Sequence, residues 1–165
     1  MQPTGRGKGL SVGAGDELWR HTQQLRVRYS ETDQMGTFYN SRPLEWFECG
    51  RSEGFRALGL PYATLEGRGL FFPLIEARVE YLGRARYDDL LEMTSFFAWV
   101  GRARLKCRVE IIHAESRKPV VSGHTIHAFA DAQGRAIRPP EWFRKSLESA
   151  LGARGIADCG LRIAD

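Results

Sequence analysis

Apolar positions along the chain follow two periods, a helical one between residues 44 and 58 and a strand-like one before and after it. From Gln23 to Tyr29 they alternate: Leu25, Val27 and Tyr29 face one way, Arg26 and Arg28 the other, as in a half-buried strand. A turn-rich stretch, 31–36, follows. Between Leu44 and Leu58 the period lengthens. Leu44, Phe47, Phe55 and Leu58 mark one helical stripe, widened by Trp46, Gly54 and Ala57 and interrupted by Arg51. Asn40 or Ser41 stands where it can cap this helix, Pro43 suits the first turn, and Gly59 with Pro61 ends it. Gly50 and Gly54 lower helix propensity, so the pattern predicts close packing of the helix on a flat surface.

After a glycine-rich loop, 66–69, period two takes over. It predicts strands over 72–82, 90–100, 102–112 and 120–130. The third alternates cleanly, with Ala103, Leu105, Cys107, Val109 and Ile111 on one face and Arg102, Arg104, Lys106, Arg108 and Glu110 on the other. Turn chemistry separates the strands at 87–89, Gly101, 115–119 and 131–134. Pro139 and Pro140 introduce a short C-terminal helix from Glu141 to about Leu151. Short connections predict antiparallel neighbours, and the one long apolar helix must bury its stripe on the sheet. The class is α+β. Residues 1–18 read as a flexible lead-in, 19–151 as one domain and 152–165 as a tail.

Composition narrows the function. The 165 residues, 42% hydrophobic and 27% charged, describe a globular chain of one-domain size. A net charge of +4 suits an anionic ligand. There is no Lys/Arg-rich block, zinc-finger spacing or RNP-like motif, which argues against nucleic acid. No stretch approaches the roughly 20 apolar residues of a membrane span, and the lead-in has no signal-peptide core. Cys49, Cys107 and Cys159 are dispersed and odd in number, fitting a reducing, cytoplasmic setting. His124 and His127 fall on opposite strand faces, so no metal site is expected. Ser52, Ser95 and Ser122 lack a G-x-S-x-G context, against a serine hydrolase.

Asp33 is the candidate that remains. It lies between a strand and a helix start, where unpaired backbone N–H groups and the helix dipole gather. Read from the local pattern alone, it is either a reactive carboxylate or a turn residue bonding its own backbone.

The run Arg28-Tyr29-Ser30-Glu31-Thr32-Asp33-Gln34-Met35-Gly36-Thr37-Phe38-Tyr39, with Leu44-Glu45-Trp46-Phe47-Glu48 and Arg51, resembles the signature of hotdog-fold acyl-CoA thioesterases of the 4-hydroxybenzoyl-CoA thioesterase type. The segment Val79 to Asp89 resembles that family's entry to its next strand, and the likeness covers roughly 22–148. It implies a curved antiparallel sheet of about five strands wrapped around one long helix. It also implies a homodimer or homotetramer with the active site at a subunit interface, and hydrolysis of an acyl thioester without a cofactor, coenzyme A being part of the substrate. Asp33 matches the family's catalytic carboxylate, as general base or as a nucleophile forming a mixed anhydride. The backbone N–H of Asn40 matches its carbonyl-binding donor, with Gly36, Thr37 and Tyr39 beside the substrate. Glu48 is the rival acid, because some hotdog enzymes carry theirs on the long helix. Phe72 is a candidate for the acyl tunnel. Arg102 and Arg104, with Arg84 and Arg86 comparable, are candidates for coenzyme A phosphates, for which Arg offers paired donors. Matching sequences often carry His where this chain has Asn40 and Asn-Tyr where it has Arg42-Pro43, which argues against a His-assisted mechanism here. An acyl carrier protein as donor, or non-catalytic binding of an acyl thioester, are the alternatives.

Overall fold

The structure, a computed structural model, describes residues 17–153. The expected lead-in up to residue 16 and the tail from residue 154 lie outside the described residues. Five antiparallel strands form one sheet: β1 (Glu17–Arg26), β2 (Leu74–Tyr81), β3 (Leu90–Val100), β4 (Arg104–His113) and β5 (Pro119–Ala128), in the order β1-β3-β4-β5-β2. The long helix α1 (Arg42–Ala57) lies across the sheet and touches all five strands, giving the hotdog arrangement that the resemblance implies. A short helix α2 (Tyr62–Gly67) and a C-terminal helix α3 (Glu141–Ala153) complete it. Among the described residues no helix is long and apolar enough to cross a membrane.

The alternating strands behave as their sequences require. In β3, Leu91, Met93, Ser95 and Phe97 are buried, and in β4 Leu105, Cys107, Val109 and Ile111 are buried. These side chains receive Phe47 and Phe55 of α1, both fully buried. Trp19 of β1 stacks on Phe97 with centroids 4.1 Å apart, and Phe55 meets the pair edge-on. The helix can come this close because of its glycines. A Cβ on Gly50 would collide with the Ser95 hydroxyl, and one on Gly54 with the Phe97 ring. At the far end of the sheet Phe143 of α3 joins Phe72, Trp99 and Phe129 in an aromatic cluster.

Several expectations need correction. β1 starts at Glu17 and ends at Arg26, so Tyr29 is not on a buried strand face; it is 79% exposed in a 3-10 turn (Tyr29–Glu31). Leu44 belongs to the exposed side of α1, because the helix begins at Arg42 and the buried face runs through Pro43, Trp46, Phe47 and Gly50. Arg51 does not break the stripe: its Nε donates to the Tyr62 hydroxyl of α2 at 2.7 Å. Helix α2 itself is too short for a period to show. Arg102 lies in the turn before β4, not on its charged face. Finally, β2 and β3 are not neighbours. β1 and β4 occupy both edges of β3, so β2 pairs with β5 and the 82–89 linker crosses one end of the sheet.

Candidate active site

That crossing linker supports the Asp33 loop. The loop is a miniature hairpin: Thr32 and Phe38 form an isolated antiparallel bridge, the Asp33 N–H donates to the Thr37 carbonyl at 2.9 Å, and the Gly36 N–H donates to the Asp33 carbonyl at 3.0 Å. Gly36 has φ of 71°, a left-handed conformation that costs glycine little. Beneath, the Phe38 N–H donates to the Ala85 carbonyl at 3.0 Å, and the Thr37 hydroxyl bonds the same residue's backbone. Thr37 therefore braces the loop through its side chain.

Glu31 holds the loop to the helix. It is 3% exposed, and its carboxylate accepts from the Arg28 N–H (2.7 Å), the Arg28 guanidinium (2.9 and 3.1 Å) and the indole N–H of Trp46 (3.0 Å). Burial alone would raise its pKa. The hydrogen bonds from Arg28 and Trp46 outweigh it and hold the carboxyl below its ordinary value. Arg42 adds a second tie, its guanidinium donating to the Ser30 carbonyl at 3.2 Å.

Asp33 is treated differently. It is half-buried, one oxygen accepts the Met35 N–H at 2.8 Å, and the other accepts no hydrogen bond among the described residues. The turn role expected of Asp33 thus uses one oxygen and leaves the other without a partner among the described residues. Asp33 lines an open cleft of about 270 Å³ whose walls are residues of the 33–40 loop, Tyr81 at the end of β2, and Gly83 with Arg84 from the crossing linker. Gly36 is not on the cleft wall; Thr37, Tyr39 and Asn40 are.

At Asn40 the backbone is fixed by the Tyr81 hydroxyl, which donates to the Asn40 carbonyl at 2.5 Å. The Asn40 N–H makes no backbone hydrogen bond among the described residues. Ser41 occupies the N-cap position, but its side chain makes no capping bond. Neither expected side chain therefore caps this helix end; instead the Arg42 N–H donates to the Tyr39 carbonyl at 3.0 Å and the Leu44 N–H to the Ser41 carbonyl at 3.3 Å, which leaves the Asn40 N–H as the donor without a backbone acceptor among the described residues.

The other candidates lie elsewhere. Glu48 is exposed on α1, outside the cleft lining, and is not paired with Arg51. Phe72 packs in the aromatic cluster with Phe55, Tyr62, Phe129 and Phe143. Arg102 and Arg104 sit at the opposite end of the sheet from Asp33. Of the arginines, Arg84 is the one in the cleft wall. No group of three or more metal-ligating side chains forms among the described residues. Two residues were not singled out by the sequence reading. Tyr81 carries no signal beyond its place in the second resembling segment. Glu31 looked like any turn acid; the signal lay in Trp46, an indole on the buried side of a helix that needs an acceptor.

Comparison with known proteins agrees with the fold. A family model described as thioesterase-like superfamily matches residues 27–147. An acyl-CoA thioesterase of Haemophilus influenzae is 38% identical over 68 residues, covering 41% of this chain and 50% of the relative. An acyl-CoA thioester hydrolase of Escherichia coli is 28% identical over 92 residues, covering 56% of this chain and 69% of the relative. The chain thus spans about half the length of several curated relatives it matches. Among solved structures, a Thermus thermophilus protein is 30% identical with a TM-score of 0.71, covering 79% of this chain and 97% of that one. A 4-hydroxybenzoyl CoA thioesterase mutant complexed with 4-hydroxybenzoyl CoA shares the fold at 21% identity, with a TM-score of 0.69, covering 78% and 98%.

Proposed function

The chain belongs to the thioesterase-like superfamily, and from that premise we propose that it hydrolyses an acyl-CoA thioester to a carboxylic acid and free coenzyme A. The observation that carries the reading is Asp33, with one uncommitted carboxylate oxygen, on the wall of an open cleft that also contains Asn40, whose N–H makes no backbone hydrogen bond among the described residues. Asp33 acts as general base: it takes a proton from a water molecule as the water oxygen bonds to the thioester carbonyl carbon. The resulting oxyanion accepts a hydrogen bond from the Asn40 N–H, an interaction worth about 2.7–4 kcal/mol where such donors have been removed. Collapse breaks the C–S bond, and the departing thiolate takes the proton that Asp33 removed from water, which returns Asp33 to its carboxylate form. Arg84, exposed on the cleft wall, meets a phosphate of the nucleotide.

The working unit is a dimer joined through β2. Among the described residues that strand pairs only with β5, which leaves its other edge open, and it carries Leu74, Ile75 and Tyr81, all more than half exposed. An open edge of this kind is a template for another strand. Two-fold pairing of β2 with a second copy is antiparallel, so the Leu74 end of one subunit meets the Tyr81 end of the other. Those ends are roughly 23 Å apart within one subunit. Pairing therefore brings the second copy's Phe72 to Leu74 segment to the mouth of the Asp33 cleft, with Arg104 at the same end of its sheet. This is the route by which Phe72 and Arg104 contribute to a site they do not reach within their own subunit.

The test is a panel of aromatic, short-chain and long-chain acyl-CoAs, with acyl carrier protein thioesters alongside, followed by release of free thiol. Turnover on acyl-CoA that fails in Asp33→Asn supports the reading. Turnover that survives Asp33→Asn and disappears in Glu48→Gln moves the acid to α1. Tight binding without turnover makes the protein a carrier. An Ile75→Lys variant that sediments as a monomer and loses turnover supports the β2 dimer; one that stays dimeric and active removes it.

A further inference from the structure

At the other end of β3, whose ten steps span roughly 34 Å, a second and larger cavity lies between α3 and the turn that joins β3 to β4. Its volume is about 540 Å³, within the usual range for small-molecule sites. Its wall has two chemistries. Trp99, Leu147 and Leu151 supply an apolar floor, while Arg102, Arg138 and Arg144 converge on it from three separate segments. None of these arginines makes an ion pair among the described residues, whereas Arg78, Arg108 and Arg135 are each matched with a carboxylate. Glu148 is the one acidic side chain among the described residues of the lining. Three guanidinium groups against one carboxylate leave a local surplus of positive charge over an apolar surface.

We propose that this cavity is a second binding site, separate from the Asp33 cleft, for an amphiphilic anion: an apolar chain or ring ending in a carboxylate. The apolar body lies against Trp99, Leu147 and Leu151, where leaving water favours binding in proportion to the area covered. The carboxylate meets the arginines, whose planar donors match its two oxygens. Neither half suffices alone. An exposed cation binds a small anion weakly in water, and a neutral hydrocarbon leaves the surplus charge unmatched. The site requires no catalytic step and stands whether or not Asp33 hydrolyses thioesters.

The experiment is calorimetric titration of the full chain with decanoate, with decanol and acetate as probes of each half. Decanoate saturates one site per chain, and decanol and acetate bind at least tenfold more weakly. The double variant Arg138→Gln/Arg144→Gln, at two exposed positions, weakens decanoate at least tenfold, and Arg102→Gln on a different segment weakens it in the same direction. Glu148→Gln, which removes the opposing charge, tightens it. Asp33→Asn leaves it unchanged, which separates this site from the catalytic cleft. Decanoate binding that is equal in the parent and both arginine variants, or matched by decanol or acetate, overturns the proposal, as does binding that follows Asp33 instead of the arginines.

Discussion

The inner and outer sides of the 28–40 loop share a few residues of sequence and almost nothing else. On the inner side, Glu31 is buried, and Arg28 and Trp46 supply donors to its carboxylate. On the outer rim, Asp33 keeps one oxygen uncommitted beside an open cleft. Both are acidic residues in one turn. Their difference comes from which side of the chain each occupies relative to α1. The inner carboxylate ties the loop to α1, and the outer one is the acid proposed for catalysis, so stability and activity should separate cleanly between them.

The largest stability effect is expected at Glu31. Glu31→Ala strands the Trp46 indole N–H and the Arg28 backbone N–H, and leaving two donors of this kind without an acceptor costs about 3 kcal/mol. That corresponds to a fall in Tm of roughly 6–12 °C for a chain this long, read by thermal denaturation. The pH dependence follows with its sign. Because the folded pKa of Glu31 lies below its unfolded value, its contribution is present above the unfolded value, near 4.3, and is lost as pH falls through the folded value. Glu31→Gln therefore flattens the acid limb of the stability curve.

A second acid-side effect comes from the opposite end of the core. His127 donates from Nδ1 to the Phe72 carbonyl at 3.0 Å, leaving Nε2 buried without a partner among the described residues. Burial, reinforced by Arg51, pushes its pKa down to about 4 from an ordinary 6.5. As pH falls from 6.5 toward 4 the unfolded chain takes up a proton that the folded chain refuses, so stability declines across that window. His127→Gln removes this decline, measured as Tm between pH 7 and pH 4.5. A variant that loses stability in step with wild type contradicts the assignment.

Smaller effects belong to the rim. Tyr81→Phe deletes the hydroxyl that fixes the Asn40 carbonyl, and loss of one hydrogen bond of about 1 kcal/mol lowers kcat roughly fivefold with little change in Tm. Asn40→Ala keeps the backbone N–H, so kcat stays within about threefold of wild type; a loss near the 10²-fold or greater scale of a deleted oxyanion donor would mean that the side chain is the working group.

Much of the fold was legible because its signals are periodic. The alternation in 102–112 required a strand with one buried face, and the glycines at 50 and 54 announced a helix pressed on a sheet. What period cannot convey is order across the sheet. Nothing in residues 82–89 says that they cross to reach β3, and the cleft floor depends on that crossing. The position of Asp33 was legible from the turn and the helix start that flank it. Its partners Tyr81 and Arg84 were less so, because they enter through pairing between distant strands. Leu44 and Tyr29 were misplaced for a simpler reason: each lies at an element boundary, where one residue of shift moves a side chain from the core to the surface.

The most direct test of the central claim is to measure kcat and Tm together for Asp33→Asn. Asparagine keeps an oxygen for the Met35 N–H and so keeps the turn, while removing the charge and the basicity. The account predicts a fall in acyl-CoA turnover of several hundred-fold or more with Tm within about 2 °C of wild type, a surface-site effect on stability. Turnover within tenfold of wild type in a protein of unchanged Tm would contradict it.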